Sequence, residues 1–330
     1  MAREMHGFAT GWYVIATTEE LPPGKVMPLQ YFGRHQVAFR GESGEVHLLD
    51  AHCPHLGAHL GVGGTVVGDT IRCPFHAWRF GGDGACVEIP YVKNGKIPSR
   101  ACVGTWSARE RNGLVFAWYD RFGRAPWWEI PELPQHGNPE WTPWVVNMLE
   151  IKTQPREIIE NVADKAHFGP VHGVEVELFE NTFEDHIAIQ HMTGVATPLG
   201  GGVDHIDSTA TYYGPAYQIT DMQSFLPNVL LNAHTPIDEH RLHLRFGVML
   251  KRTRDAARTE QIAAVYIKNL QDGFAQDRRI WENKAWRDRP ALCDGDGPLG
   301  ALRRWYRQFY PESPADPVGT SPDTSAELNP

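Results

Sequence analysis

Two short segments each pair a cysteine with a histidine: Cys53-Pro54-His55 and Cys73-Pro74-Phe75-His76. One thiolate and one imidazole from each of two loops make the donor set of a Rieske-type [2Fe–2S] cluster, in which two cysteines hold one iron and two histidines the other. Replacing thiolates by neutral nitrogens raises the potential above that of an all-cysteine ferredoxin, and such a centre hands on single electrons. A Cys2His2 zinc site uses the same residue types but usually groups its cysteines and its histidines separately. The surroundings suit a cluster. Residues 46–49 and 70–72 read as strands leading into the two loops, and glycines at 57, 61, 63, 64, 68, 81, 82 and 84 supply turns. Trp78 and Phe80, just past the second loop, either keep water off the cluster or simply fill the core.

A centre that delivers electrons needs a sink, and the run Asn161-Val162-Ala163-Asp164-Lys165-Ala166-His167-Phe168-Gly169-Pro170-Val171-His172 offers one. Asn161, Asp164 and His167 recur every third residue, which places them on one face of a helix expected around residues 155–168. His172 would stand roughly 140° round an ideal helix from His167 and could not share a metal with it there. The Gly169-Pro170 step predicts a helix stop that swings His172 back. Two histidines and a carboxylate, with positions left open for O2, form the facial triad of mononuclear non-haem Fe(II) oxygenases. A late helix expected from near Ile267 to Arg287 carries Asp272 and Asp277, and spacing does not choose between them. Surface pairing with Arg278 and Arg279 is the competing use of either acid.

The elements that must hold these centres fit in 330 residues, 42% hydrophobic and 22% charged, enough for two globular domains. No apolar run approaches the roughly 18 residues of a membrane span, and the N-terminus shows no signal-peptide pattern, so a cytoplasmic protein is expected. Cys86, Cys102 and Cys293 have no evident partner or role, which suits a reducing compartment. A net charge of −9, from 40 acidic and 31 basic residues, argues against a nucleic-acid partner. The balance reverses between residues 88 and 111, where Lys93, Lys96, Arg100, Arg109 and Arg111 face Glu88 and Glu110. That stretch is a solvated face or a docking face for an acidic electron donor.

Short strands with glycine-rich turns predict a small β domain over residues 1–124, and no internal repeat is present. A connector rich in Pro and Trp covers 125–150, a catalytic domain 151–310 and a disordered tail 311–330. Alternation over 242–250 predicts a half-buried strand. The chain has no Gly-x-Gly-x-x-Gly nucleotide loop, so NADH electrons must arrive through a separate protein.

Taken together, the Cys-x-His and Cys-x-x-His pair followed by Asp-x-x-His-x-x-x-x-His resembles the oxygenase (alpha) component of Rieske non-haem iron oxygenases. Cys73-Pro74-Phe75-His76-Ala77-Trp78-Arg79-Phe80, Glu157-Ile158-Ile159-Glu160-Asn161, Phe179-Glu180-Asn181-Thr182-Phe183, Asp277-Arg278-Arg279-Ile280-Trp281-Glu282-Asn283-Lys284 and Leu302-Arg303-Arg304-Trp305-Tyr306 are most similar to 3-ketosteroid 9α-hydroxylase oxygenase components and next to cholesterol 7-desaturases. The resemblance implies an α+β protein: an N-terminal β Rieske domain plus a C-terminal helix-grip domain, an antiparallel sheet with helices. It implies a [2Fe–2S] cluster on Cys53, His55, Cys73 and His76, and a mononuclear Fe(II) on His167, His172 and Asp277. It casts Asp164 as the electron bridge from His76 of one subunit to His167 of the next in a homotrimer, with Asn161 supporting the ligands from behind. O2 is the implied co-substrate, and NADH electrons are expected through a flavin/iron-sulfur reductase or a ferredoxin. The implied substrate is a hydrophobic polycycle, with 9α-hydroxylation of a 3-ketosteroid as the first expectation. Sterol 7-desaturation, aromatic-ring dioxygenation or O-demethylation, and a non-enzymatic Rieske electron carrier are the alternatives. The first loop, Cys53-Pro54-His55-Leu56-Gly57-Ala58-His59-Leu60, looks more like the desaturase version. Tyr212, Tyr213, Tyr217, Phe225, Leu226, Leu230, Asn232 and Trp281 are candidates for the substrate pocket.

Overall fold

The computed structural model describes residues 5, 7–93, 95–196, 204–223, 226–314 and 316; Phe225 and the tail beyond residue 316 lie outside them. The N-terminal lobe runs through β1 (Gly11–Thr17), β2 (Val26–Tyr31), β3 (Arg34–Arg40), β4 (Val46–Asp50), β5 (Thr65–Val67), β6 (Thr70–Arg72), β7 (Arg79–Gly81), β8 (Cys86–Glu88), β9 (Thr105–Trp106), β10 (Ala108–Arg111) and β11 (Leu114–Tyr119). These pair as three sheets, β1-β11-β10, β2-β3-β4-β9 and β5-β6-β7-β8. The C-terminal lobe holds β12 (Val145–Ile151), the short helices α1 (Pro155–Ile159) and α2 (Phe168–His172), then β13 (Val174–Glu184), β14 (Ile187–Ala196), β15 (Asp204–Tyr213), β16 (Tyr217–Gln223), β17 (Asn228–Pro236) and β18 (Leu242–Leu250), and finally α3 (Ala256–Trp281) and α4 (Leu299–Arg307). Its strands form one antiparallel sheet in the order β12-β18-β17-β16-β15-β14-β13.

Strand alternation sorts this sheet into two faces. On the outer face Tyr217, Ile219, Val229 and Leu231 pack against Trp12, Val14, Leu114 and Phe116 of the N-terminal lobe. On the inner face Leu244 and Phe246 meet Ile267, Leu270 and Phe274 of α3, and Val248 and Leu250 meet Ala263. A side chain of this size contributes roughly 1.5–3 kcal/mol on full burial, so the long helix gripped by the sheet is held mainly by its apolar stripe. The fold is the expected α+β arrangement of a β lobe and a helix-grip lobe.

Three local expectations change. The 242–250 strand is covered on both faces, because its other side lies under the N-terminal lobe: buried Arg245 donates to the carbonyls of Val14 at 3.2 Å and Ile15 at 2.8 Å. The late helix starts at Ala256 and ends at Trp281 instead of spanning 267–287. Asp255 caps it, accepting the Arg258 N–H at 3.1 Å, ahead of a first turn too polar to show an apolar period.

The helix expected over 155–168 is broken into α1, a 3-10 turn at Glu160–Val162 and α2. Lys165 N–H donates to the Asp296 carbonyl at 3.1 Å instead of to its own helix. Gly297, at φ +90°, presses on the same bend: a Cβ there would lie 2.2 Å from the Ala163 carbonyl. Pro170 sits inside the first turn of α2, where its missing N–H leaves no bond unmade. The stop falls instead at Gly173, which is left-handed with φ +66°. Residues 311–314 and 316, the described part of the expected tail, lie on the molecule: Pro311 is buried, and Arg124 donates to the Asp316 carbonyl at 3.2 Å.

Candidate metal centres

The two Cys/His loops are built alike. Cys53 N–H donates to Ala58 O at 2.9 Å and Gly57 N–H to Cys53 O at 2.9 Å; Cys73 N–H donates to Trp78 O at 2.8 Å and Ala77 N–H to Cys73 O at 3.1 Å. Each loop therefore needs a left-handed residue four places after its cysteine. Gly57 takes φ +77° freely, whereas Ala77 holds φ +57° at a cost of about 1–2 kcal/mol. The turns bury Cys53 and Cys73 and bring the His55 and His76 rings to 4.6 Å. Trp78 lies flat on His55, 4.6 Å away and 8° from parallel. Its indole N–H donates to the Tyr91 hydroxyl at 2.8 Å, and Tyr91 stands edge-on to His76. These residues fit a cluster. His55 Nδ1 is buried with no hydrogen-bond partner, and burial, with Cys73 alongside, pushes the Cys53 thiol up to about 11. Coordination by iron would use that lone pair and displace that proton.

The second centre draws on distant parts of the chain. Ligand atoms of His167, His172 and Asp277 all lie within 4.8 Å of one another. The imidazole rings are 5.4 Å apart, and His172 Nε2 is 3.4 Å from Asp277 Oδ2. His167 donates its Nδ1–H to the Asp164 carbonyl at 2.6 Å, which fixes the tautomer and leaves Nε2 as the lone-pair nitrogen. Two imidazoles and a buried carboxylate suit Fe(II). Asp272, the competing acid, is exposed and paired with Lys268 at 2.8 Å.

Asp164 faces its own histidine: its carboxylate accepts the His167 N–H at 3.3 Å and lies 3.8 Å from the ring. Burial pushes this carboxyl up, but hydrogen bonding from His167 and the Ala166 backbone outweighs it and holds it below its ordinary value. Asn161 accepts the Trp281 indole N–H at 3.4 Å, tying the ligand segment to α3 one turn past Asp277. Among the described residues, no hydrogen bond, ion pair or ring contact joins the two Cys/His loops or β5–β8 to the segment 155–172 or to α3.

The inner sheet face beside this centre is partly polar. Cross-strand register places Asn181 opposite Gln190 and Asn232 opposite Phe246. Asn181 Oδ1, Gln190 Nε2, Asn232 Oδ1 and His234 Nδ1 are buried without hydrogen-bond partners. Such groups cost free energy until something bonds them. Of the expected pocket residues, Tyr212, Leu230, Asn232 and Trp281 share this side and Leu226 packs under α3, whereas Tyr217 and its neighbour Tyr213 point to the N-terminal lobe. Gln190 and His234 carried no sequence signal, since single polar residues in alternating strands are ordinary. A groove of about 1150 Å³ lies elsewhere, lined by residues that include Glu110, Trp141, Trp144 and Met148 and by none of the candidate metal ligands.

Of the five basic residues in the 88–111 stretch, Arg109 pairs with Glu129 at 3.7 Å and Arg111 pairs with Glu132. Lys93, Lys96 and Arg100 stand exposed on the loop that follows Tyr91.

Residues 11–106 match the Rieske [2Fe-2S] domain, and residues 117–310 match the 3-ketosteroid 9alpha-hydroxylase C-terminal domain. The chain belongs to the 3-ketosteroid 9α-hydroxylase family of Rieske oxygenase components. It is 41% identical over 322 residues to a probable 3-ketosteroid-9-alpha-monooxygenase oxygenase component of Rhodococcus rhodochrous, covering 92% of this chain and 80% of that one. It is 31% identical over 342 residues to cholesterol 7-desaturase nvd 1 of Ciona intestinalis, covering 93% and 69%. The fold matches the crystal structure of dicamba monooxygenase bound to dicamba with a TM-score of 0.75 at 21% identity, over 91% of this chain and 96% of that one. As an oxygenase component of this family, the protein carries a Rieske [2Fe–2S] domain, and related oxygenases combine it with mononuclear iron and O2. Such a component implies a reductase partner and a hydrophobic substrate. No described helix is long and apolar enough to cross a membrane.

Proposed function

We propose that this chain is the terminal oxygenase of a cytoplasmic multicomponent monooxygenase that 9α-hydroxylates a 3-ketosteroid. The observation that carries the reading is the convergence of His167, His172 and Asp277 beside an inner sheet face whose buried polar atoms lack partners. Fe(II) bound by these three residues would supply the reductive activation of O2. The protein's own part is placement. Half-buried Leu230 offers apolar surface to a flat hydrocarbon, and the Gln190 amide offers a buried N–H to a ketone oxygen. A ligand carbonyl that satisfies this donor fixes which C–H bond lies nearest the metal.

Electron delivery is the role of Cys53, His55, Cys73 and His76. Because no bonded route joins the two centres among the described residues of the chain, we assign the acceptor side to a second copy in a head-to-tail homotrimer. Asp164 then accepts from His76 of one subunit on its free side and from its own His167 on the other. A flavin/iron-sulfur reductase or ferredoxin passes NADH electrons to the cluster. A second reading, sterol 7-desaturation, is favoured by the 31% identity to a desaturase and by the first loop. Incubation of the chain with a generic reductase, NADH and a panel of 3-ketosteroids, cholesterol and aromatic acids decides among them by mass spectrometry. Gain of one oxygen on a 3-ketosteroid is expected. Loss of two hydrogens from cholesterol moves the assignment to the desaturase, and oxidation of aromatic acids alone overturns both.

A further inference from the structure

Four charged side chains without a part in the chemistry above meet behind the iron ligands. Glu157 lies on α1 and Glu160 in the 3-10 turn after it, both on the segment that leads into Asp164 and His167. Lys284 follows the end of α3, and Arg303 sits on α4. Lys284 Nζ is 2.8 Å from Glu157 Oε2 and 3.1 Å from Glu160 Oε2. Arg303 Nη2 is 2.6 Å from Glu160 Oε1, and its Nη1 donates to the Arg287 carbonyl at 2.6 Å. Glu157 is only 6% exposed, and Lys284 is the cation that offsets the cost of its burial. Burial works against charge on Lys284, but Glu157 and Glu160 outweigh it and hold the ammonium above its ordinary value.

The stretches that carry the family likeness around 157–161, 277–284 and 302–306 are thus joined to one another by this cluster. Its two acids sit just upstream of both histidine ligands. Its lysine sits seven residues past Asp277, beyond Trp281, whose indole holds Asn161. The histidines and the carboxylate come from segments more than a hundred residues apart, and short α1 and α2 have little stability of their own. An ionic tie between those segments is what sets their separation.

We infer that Lys284, with Glu157, Glu160 and Arg303, is a positioning latch that holds Asp277 at ligating distance from His167 and His172. The inference rests on the iron reading of that triad. Removing the lysine leaves Glu157 buried and uncompensated, which destabilises the protein whether or not the latch positions anything. Lys284→Met combined with Glu157→Gln restores the charge balance while leaving the segments untied.

Iron release from full-length protein loaded with Fe(II) is followed with a colorimetric chelator, with the visible spectrum of the [2Fe–2S] cluster as the internal standard. Lys284→Met and Lys284→Met/Glu157→Gln are both expected to release mononuclear iron about tenfold faster than the parent, in the range found for residues that orient metal ligands, with the cluster spectrum unchanged. The double variant is expected to recover the melting temperature lost by the single one, and Lys284→Arg to stay within about twofold of the parent. Amide hydrogen exchange over residues 163–172 should rise in both Met variants even after the iron is stripped. Recovery of iron retention together with melting temperature in the double variant overturns the latch, as does release within twofold of the parent from Lys284→Met. Parent protein that binds no mononuclear iron overturns the iron reading instead, while the exchange measurement still reports on the tie.

Discussion

The two metal centres are assembled in opposite ways. Each half of the cluster site is a closed turn whose cysteine, histidine and left-handed residue are near neighbours in sequence, so the loop makes its geometry locally. The proposed iron site would take two ligands from a broken helical segment and a third from α3, and the three groups converge only when the sheet, α3 and the 155–172 segment are all in place. A locally closed site tolerates distant change, whereas a site assembled from far-apart elements responds to any change that shifts one element against another.

The severest test of this contrast is deletion of one ligand on the iron side. His172→Ala should abolish turnover and lower the iron content from about three to about two per chain with the Rieske spectrum intact. Loss of cluster absorbance in that variant would show that the centres are not independent. Asp164→Asn, next in size, exchanges an anionic acceptor for a neutral amide. It should keep both metals yet lose nearly all turnover, with reduced cluster persisting when O2 and substrate are added; loss of the mononuclear iron would make Asp164 a ligand.

Acid should find the assembled lobe first. His234 is fully buried, and desolvation pushes it from 6.5 down to about 3, so it stays neutral in the fold. Its contribution is complete above pH 6.5 and falls by roughly 1.4 kcal/mol per pH unit as the unfolded chain takes up the proton that the folded one refuses. His234→Gln should flatten the decline of the urea midpoint between pH 6.5 and about 5, and an unchanged slope would assign acid sensitivity elsewhere. Gln190→Leu removes a buried unpaired donor, so the ligand-free protein should gain about 1 kcal/mol while kcat/KM on a ketosteroid falls about tenfold. A drop in stability, or unaltered kinetics, would deny that this amide awaits a ketone. The smallest effect belongs to the cluster side. Ala77→Gly relieves the left-handed alanine and should raise the stability of the Rieske lobe by about 1 kcal/mol, read by cluster loss in urea, with the iron site unaffected.

The same contrast governs what could be read from the sequence. The Rieske domain was legible because its two Cys/His pairs are each local in sequence, so residue types and spacing alone pointed to it. The choice between Asp272 and Asp277 was closed to spacing, because the two lie on different sides of one helix and only the packing of α3 shows which side meets His172. The break in the 155–168 segment was invisible for a similar reason: Asp296 and Gly297, which press on it, come from the other end of the lobe. Tyr213 and Tyr217 were named as pocket candidates along with Tyr212 because residue type alone does not show which face of a doubly covered sheet a side chain takes. Gln190 and His234 went unnoticed because their meaning lies in the partners they lack.

The core beneath the two Cys/His loops is drawn wholly from residues of the N-terminal lobe, among them Val37, Phe39, Leu49, Leu60, Ile71, Phe80 and Val103. The inner-face clusters beside the iron site contain none of these side chains. Because the two cores share no side chain, repacking beneath the Cys/His loops can change the voltage at which electrons are offered without repacking the inner face. Chimeras that exchange residues 52–103 between relatives should therefore inherit midpoint potential from one parent and substrate range from the other.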